Sequence, residues 1–169
     1  MRISEILKTE YTNRFANKKL VFLRALLYYY RDPNFRVIVL TRACVTSSNE
    51  KFQKKCHKKL VLKYGVTVST KAKIGRRFWM EHYNGVVIGQ DSIIGDDCIF
   101  YQQVTIGQKN DQYPIIGNNV TIYAGAKIIG DISIEDNVIV GANAVVLKDI
   151  PANSIVAGVP AKIIRKTSE

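Results

Sequence analysis

Histidine, cysteine and proline are scarce in this chain: two, three and four in 169 residues. Two histidines cannot supply the three-imidazole ligand set of a catalytic zinc site, and no metal is expected. Three cysteines without paired spacing form no disulfide framework and suit a reducing compartment. Acid is thin as well, with 14 Asp and Glu against 25 Lys and Arg, a net charge of +11. The excess is lopsided: the first 65 residues hold 15 cations and 4 acids, the remainder 10 of each. No apolar run reaches the roughly 20 residues of a membrane span. The most apolar stretch, 20–45, is interrupted by Arg24, Arg31, Asp32, Arg36 and Arg42. The opening MRISEILKTEYTNRF mixes charges throughout, unlike a signal peptide, so a cytoplasmic location is expected. Despite the charge there is no nucleic-acid reading motif, and no nucleic-acid partner is expected.

What is abundant is a six-residue period. Apolar side chains recur at Ile88, Ile94, Phe100 and Ile106, then at Ile116, Ile122, Ile128, Ile134, Val140 and Val146. Neither a helix nor a lone strand imposes that repeat, whereas a coil of short strands with one inward residue per flat side does. Four residues after these starts come Ser92, Cys98, Val104, Val120, Ala126, Ile132, Val138, Ala144 and Ile150, a second inward slot. Val68, Ile74 and Met80 continue the pattern backwards. Stacked strands repeat at about 4.8 Å, so four to five triangular coils make a prism of about 20 Å. Outward Val87, Ile93, Ile99, Ile129 and Ile139 make self-association the default.

The period divides the chain into a basic α-helical region, 1–65, and a β-solenoid, 66–169. Residues 17 to 30 have apolar positions at helical spacing. Asp32-Pro33 reads as an N-cap followed by proline in the first turn of a second helix. That helix is expected to break near Thr46 to Asn49, resume, and stop at Gly65.

The repeat slips twice, by two residues between Met80 and Ile88 and by four between Ile106 and Ile116. The second slip ejects GQKNDQYPI as a loop, where binding chemistry tends to sit. Aligning corners gives one column of Arg76-Arg77, Asp96-Asp97, Asn118-Asn119 and Asp136-Asn137, mostly types that tolerate left-handed turns. A second column reads His82-Tyr83, Gln102-Gln103, Ala124-Gly125 and Ala142-Asn143: a histidine, then small residues beside which a ligand can lie.

These features resemble the hexapeptide-repeat acyltransferases, and within them the serine acetyltransferases, in a short polysaccharide-type variant. The resemblance is carried by RDP at 31–33, AKIG at 72–75, Glu81-His82, GVVIG at 85–89, VTIG at 104–107 and the closing DIPANSIVAGVPAKIIRK. It implies a mainly β fold, a left-handed parallel β-helix behind a small α-helical N-terminal region. The left hand comes from the resemblance alone, because the general crossover rule favours the opposite one. It further implies a homotrimer, with a dimer of trimers as the larger assembly, that binds acetyl-CoA between subunits.

Carried over residue by residue, His82 matches the general base that deprotonates an acceptor hydroxyl for attack on a thioester, a role that contributes roughly 10² to 10⁴ in rate. His57, among lysines, reads as structural. Asp32 and Glu81 match acceptor contacts, Asp32 serving equally well as a helix cap. Gly107, Ala124 and Ala142 match small-residue and backbone contacts to the coenzyme. Lys148, Lys162 and Arg165 match cations near its phosphates, or are solvated surface charges. Gln112-Tyr113 stands where the serine enzymes have Arg-His, and Thr67 where they have the aspartate that orients the base. An arginine fork suits a free carboxylate. Its loss points away from free serine and toward a hydroxyl of a sugar or surface-polysaccharide intermediate; Tyr113 and Trp79 would either stack on the sugar ring or be taken up in buried aromatic packing. Serine O-acetylation, as in cysteine biosynthesis, is the first alternative and a non-catalytic scaffold the second. The basic front is either a solvated face or a peripheral contact for an anionic membrane or glycan.

Overall fold

The lower edge of the β-solenoid is sealed by side chains from the helices in front of it. In the computed structural model, which describes residues 2–15 and 20–166, these helices are α1 (Ile3–Arg14), α2 (Val21–Arg31), α3 (Pro33–Thr46) and α4 (Glu50–Tyr64). Positions 17–19 of the helix expected over 17 to 30 lie outside the described residues. Asp32 Oδ1 accepts the Phe35 amide at 2.9 Å and Pro33 occupies the first turn, as the sequence predicts. Asn49 caps α4 on the Phe52 amide, and Gly65 closes it at φ +63°, a left-handed stop.

The buried Arg42 of α3 donates to the carbonyls of Ile74 (2.5 Å) and Gly75 (2.6 Å), and through Nε to Glu10 at 2.8 Å. Cys44 Sγ and His57 Nδ1 both reach the Val68 carbonyl, at 3.6 and 2.9 Å. A carbonyl only accepts, so the His57 proton sits on Nδ1. Without these groups the first coil would bury unpaired carbonyls. Burial pushes the Glu10 carboxyl up, and the charge of Arg42 opposes that shift.

From Thr67 the chain folds as a left-handed parallel β-helix, the class expected from the sequence. One face stacks β1 (Thr67–Val68), β4 (Val87–Ile88), β7 (Thr105–Gly107), β10 (Lys127–Ile129) and β13 (Val145–Val146). A second stacks β2 (Lys73–Ile74), β5 (Ile93–Ile94), β8 (Ile115–Ile116) and β11 (Ser133–Ile134). The third stacks β3 (Trp79–Met80), β6 (Ile99–Phe100), β9 (Thr121–Ile122), β12 (Ile139–Val140) and β14 (Ser154–Ala157). It ends on β15 (Lys162–Lys166), which runs antiparallel to β14. Register places Phe100, Ile122 and Val140 on one inward column, and all three are fully buried. Both inward slots are buried in every step from Ile88 to Ile150, whereas Ile74 is only partly covered.

The first corner column is a polar ladder. Arg76 pairs with Asp96 and Arg77 with Asp97, the latter by two short hydrogen bonds. Above them Asn118 donates to Asp136, while Asn119, Asn137 and Asn153 join through their amides at 2.9 Å per step. Arg77, Asp97, Asn119, Asn137 and Asn153 all have φ between 54° and 60°, the left-handed conformation the composition anticipates. Hydrogen bonds to the paired arginines hold the Asp96 and Asp97 carboxyls below their usual range. Among the described residues no helix is long and apolar enough to cross a membrane.

Candidate active site

The first slip in the period is a two-residue bulge, and its position differs from the corner alignment. The Glu81 amide donates to Phe100 O at 2.9 Å, and the Gln103 amide to Asn84 O at 2.8 Å. Asn84-Gly85 therefore stands in the column with Gln102-Gln103, and His82-Tyr83 are the two inserted residues. Left-handed φ at Gly85, Gln103, Gly125 and Asn143 marks the same column. The apolar spacing from Met80 to Ile88 says that two residues are extra, not which two.

Being extra, His82 is pushed out of the coil and is exposed. Among the described residues its ring has one aromatic neighbour, Tyr101, edge-on at 6.1 Å, and Tyr101 stacks in turn on Tyr123 at 4.8 Å. Tyr83 turns the other way, against Tyr64 of α4 at 5.8 Å. Glu81 is held at two points: its carbonyl accepts from Asn34 Nδ2 at 2.7 Å and its carboxylate from Trp79 Nε1 at 3.0 Å. Trp79 is itself buried beneath the Arg14 guanidinium, 4.3 Å from its ring centre, so it packs within the protein rather than presenting a free face. Asn34 was not among the expected site residues. Its only sequence signal is its place two positions after Asp32. Asp32 caps α3, and burial together with the neighbouring Asp32 carboxylate raises the Tyr28 hydroxyl. The start of α3 thus brings Asp32 close in sequence to Asn34, which grips the residue beside His82.

The second slip is a small hairpin. Lys109 and Gln112 exchange main-chain hydrogen bonds at 3.1 and 3.2 Å across Asn110 and Asp111, both left-handed. Gln108 Oε1 accepts the Asp111 amide at 2.8 Å. The hairpin grips two glycines. A Cβ at Gly130 would lie 3.2 Å from Lys109, and one at Gly89 only 2.7 Å from the Tyr113 ring. Tyr113 therefore lies over Gly89, half-buried, with Gln112 exposed beside it.

The expected acceptor contacts fall in two groups. Glu81 and His82 stand at the corner entering the β1–β4–β7–β10–β13 face, tied through Asn34 to the start of α3 that Asp32 caps, while Gln112 and Tyr113 sit at the corner leaving it. Of the coenzyme residues, Ala124 and Ala142 continue the column above Gln102, the Asn143 amide donating to Ala124 O at 2.8 Å. Gly107 ends β7 at the far corner, where Lys148 is exposed two coils on, and Lys162 and Arg165 are exposed along β15. Thr67 opens β1 and borders a groove of about 440 Å³ lined by Lys54, His57, Gly89 and Gln90, with no carboxylate in its lining.

Residues 113–148 match the bacterial transferase hexapeptide (six repeats) family. A serine acetyltransferase of Staphylococcus epidermidis is 45% identical over 106 residues, 60% of this chain and 50% of its own length. The chain spans about half the length of the curated relatives it matches. Among solved structures, the serine acetyltransferase of Vibrio cholerae is 27% identical with a TM-score of 0.79, over 99% of this chain and 67% of that one. A serine acetyltransferase in complex with CoA is 26% identical with a TM-score of 0.74, over 96% and 83%. These relatives correct the expected sugar or surface-polysaccharide acceptor, since they favour serine O-acetylation, the alternative. That expectation rested on Gln112, Tyr113 and Thr67. Three positions cannot outweigh a likeness that runs through more than half of the chain.

Proposed function

Starting from a hexapeptide-repeat β-helix whose sequence and fold are shared with serine acetyltransferases, we propose that the chain transfers acetyl from acetyl-CoA to the hydroxyl of serine. The observation that carries this reading is His82, lifted out of the coil by a two-residue insertion beside an immobilised Glu81 and below a column of small residues. An alcohol is a poor nucleophile at neutral pH. His82 takes the hydroxyl proton as the oxygen attacks the thioester carbonyl, and the resulting imidazolium returns it to the departing CoA sulfur. Ala124 and Ala142 leave room for the coenzyme's pantetheine arm, while Lys148, Lys162 and Arg165 face its phosphates.

The two acceptor groups stand at opposite edges of one face, so a neighbouring copy in a homotrimer supplies the loop carrying Gln112 and Tyr113 to the His82 of its partner. The serine carboxylate then meets an amide and a phenol in place of a charged pair. A hydrogen bond with one ionised partner is weaker than one with two, and a raised KM for serine is the expected consequence.

The test is thiol release from acetyl-CoA by the purified chain with L-serine. Turnover is expected, falling by roughly 10² to 10⁴ in His82→Ala with little change in stability, because the side chain is exposed. No turnover with serine, or full activity in His82→Ala, would overturn the reading.

A further inference from the structure

We infer that α2 is a peripheral docking helix for an anionic lipid surface. The inference is independent of the proposed reaction and rests on the exposed face of α2. Leu23, Leu27 and Tyr30 follow one another at helical spacing and are 53, 55 and 70% exposed, with Leu20 (71%) extending the stripe by a turn. The opposite side of the helix is buried at Ala25 and packs on α1 and α3. A helix that already has a covered face and still exposes three large apolar residues on the other has an unpartnered surface.

The charges beside the stripe say what covers it. Arg24 and Arg31 flank it on the same side of the helix, are exposed, and form no ion pair among the described residues. Lys18 and Lys19 precede it in the sequence. The four acids of the first 65 residues are engaged elsewhere: Glu5 on the Arg2 amide, Glu10 on Arg42, Asp32 on the start of α3, Glu50 beside Lys54. A second copy meeting α2 through its own α2 would bring the same arginines against each other, with no carboxylate on that face to meet them. Lipid with anionic headgroups offers an apolar layer for Leu23 and Leu27 and negative charge for Arg24 and Arg31, with Tyr30 at the boundary between the two.

The experiment is co-sedimentation of the full chain with phosphatidylcholine vesicles, with and without phosphatidylglycerol. Binding is expected only where phosphatidylglycerol is present, and it should weaken as salt is added. Leu23→Asp with Leu27→Asp should reduce partitioning by at least about tenfold, and Arg24→Gln with Arg31→Gln, which leaves the packing untouched, by on the order of tenfold. Circular dichroism checks that each variant keeps its helices. No binding to phosphatidylglycerol vesicles, or binding unchanged in both variants, overturns the inference. So does a drop in sedimented mass of the leucine variant without lipid, which would assign the stripe to a second copy.

Discussion

Replacing Asn137 by alanine and by glycine separates two contributions that the corner ladder combines. Asn137 accepts from the Asn119 amide and donates to Asn153, each at 2.9 Å, and its backbone is left-handed at φ +59°. Either substitution removes two exposed side-chain hydrogen bonds, a loss of about 1 kcal/mol in all when each is discounted for exposure. Alanine also places a Cβ in the left-handed region without the local hydrogen bonding that lets asparagine tolerate it, which costs a further 1–2 kcal/mol or so. Glycine has no such penalty and gives part of it back, less the entropy it adds to the unfolded chain. The expected costs are about 2–3 kcal/mol for Asn137→Ala and about 1 or less for Asn137→Gly. Urea denaturation followed by circular dichroism measures both. Equal costs, or glycine worse than alanine, would mean that backbone conformation is not what selects the corner residues.

Two further outcomes follow from the same packing. A Cβ on Gly95 would lie 2.5 Å from the Gly117 carbonyl oxygen and 2.6 Å from its carbon, backbone atoms that cannot swing aside. Gly95→Ala should therefore destabilise the coil by at least about 1–3 kcal/mol, read as a lowered denaturation midpoint, whereas Gly65→Ala meets no atom and acts only through its positive φ. Burial pushes the Cys44 thiol from 9.0 up to about 12 and that of Cys98 up to about 11. Their folded values exceed their unfolded ones, so the stability they contribute is whole below about pH 9 and is lost on rising toward 11 to 12. A Cys44→Ala, Cys98→Ala protein should show a shallower alkaline decline than the parent, and an identical slope would refute the assignment.

Sequence pattern carried the coil further than it carried the site. The inward slots from Ile88 to Ile150 were legible because burying one residue in six, and another four later, leaves a period that nothing else in a chain produces. Asp32-Pro33 and Gly65 were legible because caps are local. The seal on the lower edge was not: Arg42, Cys44 and His57 act on carbonyls 11 to 33 residues away, and no spacing rule connects them. His82 is singled out by its motif alone, and its corner is misaligned in the sequence reading, since the apolar register from Met80 to Ile88 shows that two residues are extra but not which two. The acceptor was misjudged because substitutions in a loop speak about strength of binding, and the body of the repeat speaks about kinship.

The final strand, β15, turns back antiparallel and abandons the six-residue spacing, bearing Lys162, Arg165 and Lys166 along its exposed length. At the other end the helices occupy the carbonyls that a further coil would use. A stack of identical layers could in principle lengthen without limit by recruiting other chains end to end, as fibrils do. This one is stoppered at both poles, by a charged reversed strand and by a helical plug, so neither end of the described coil offers the open strand edges on which another layer would build.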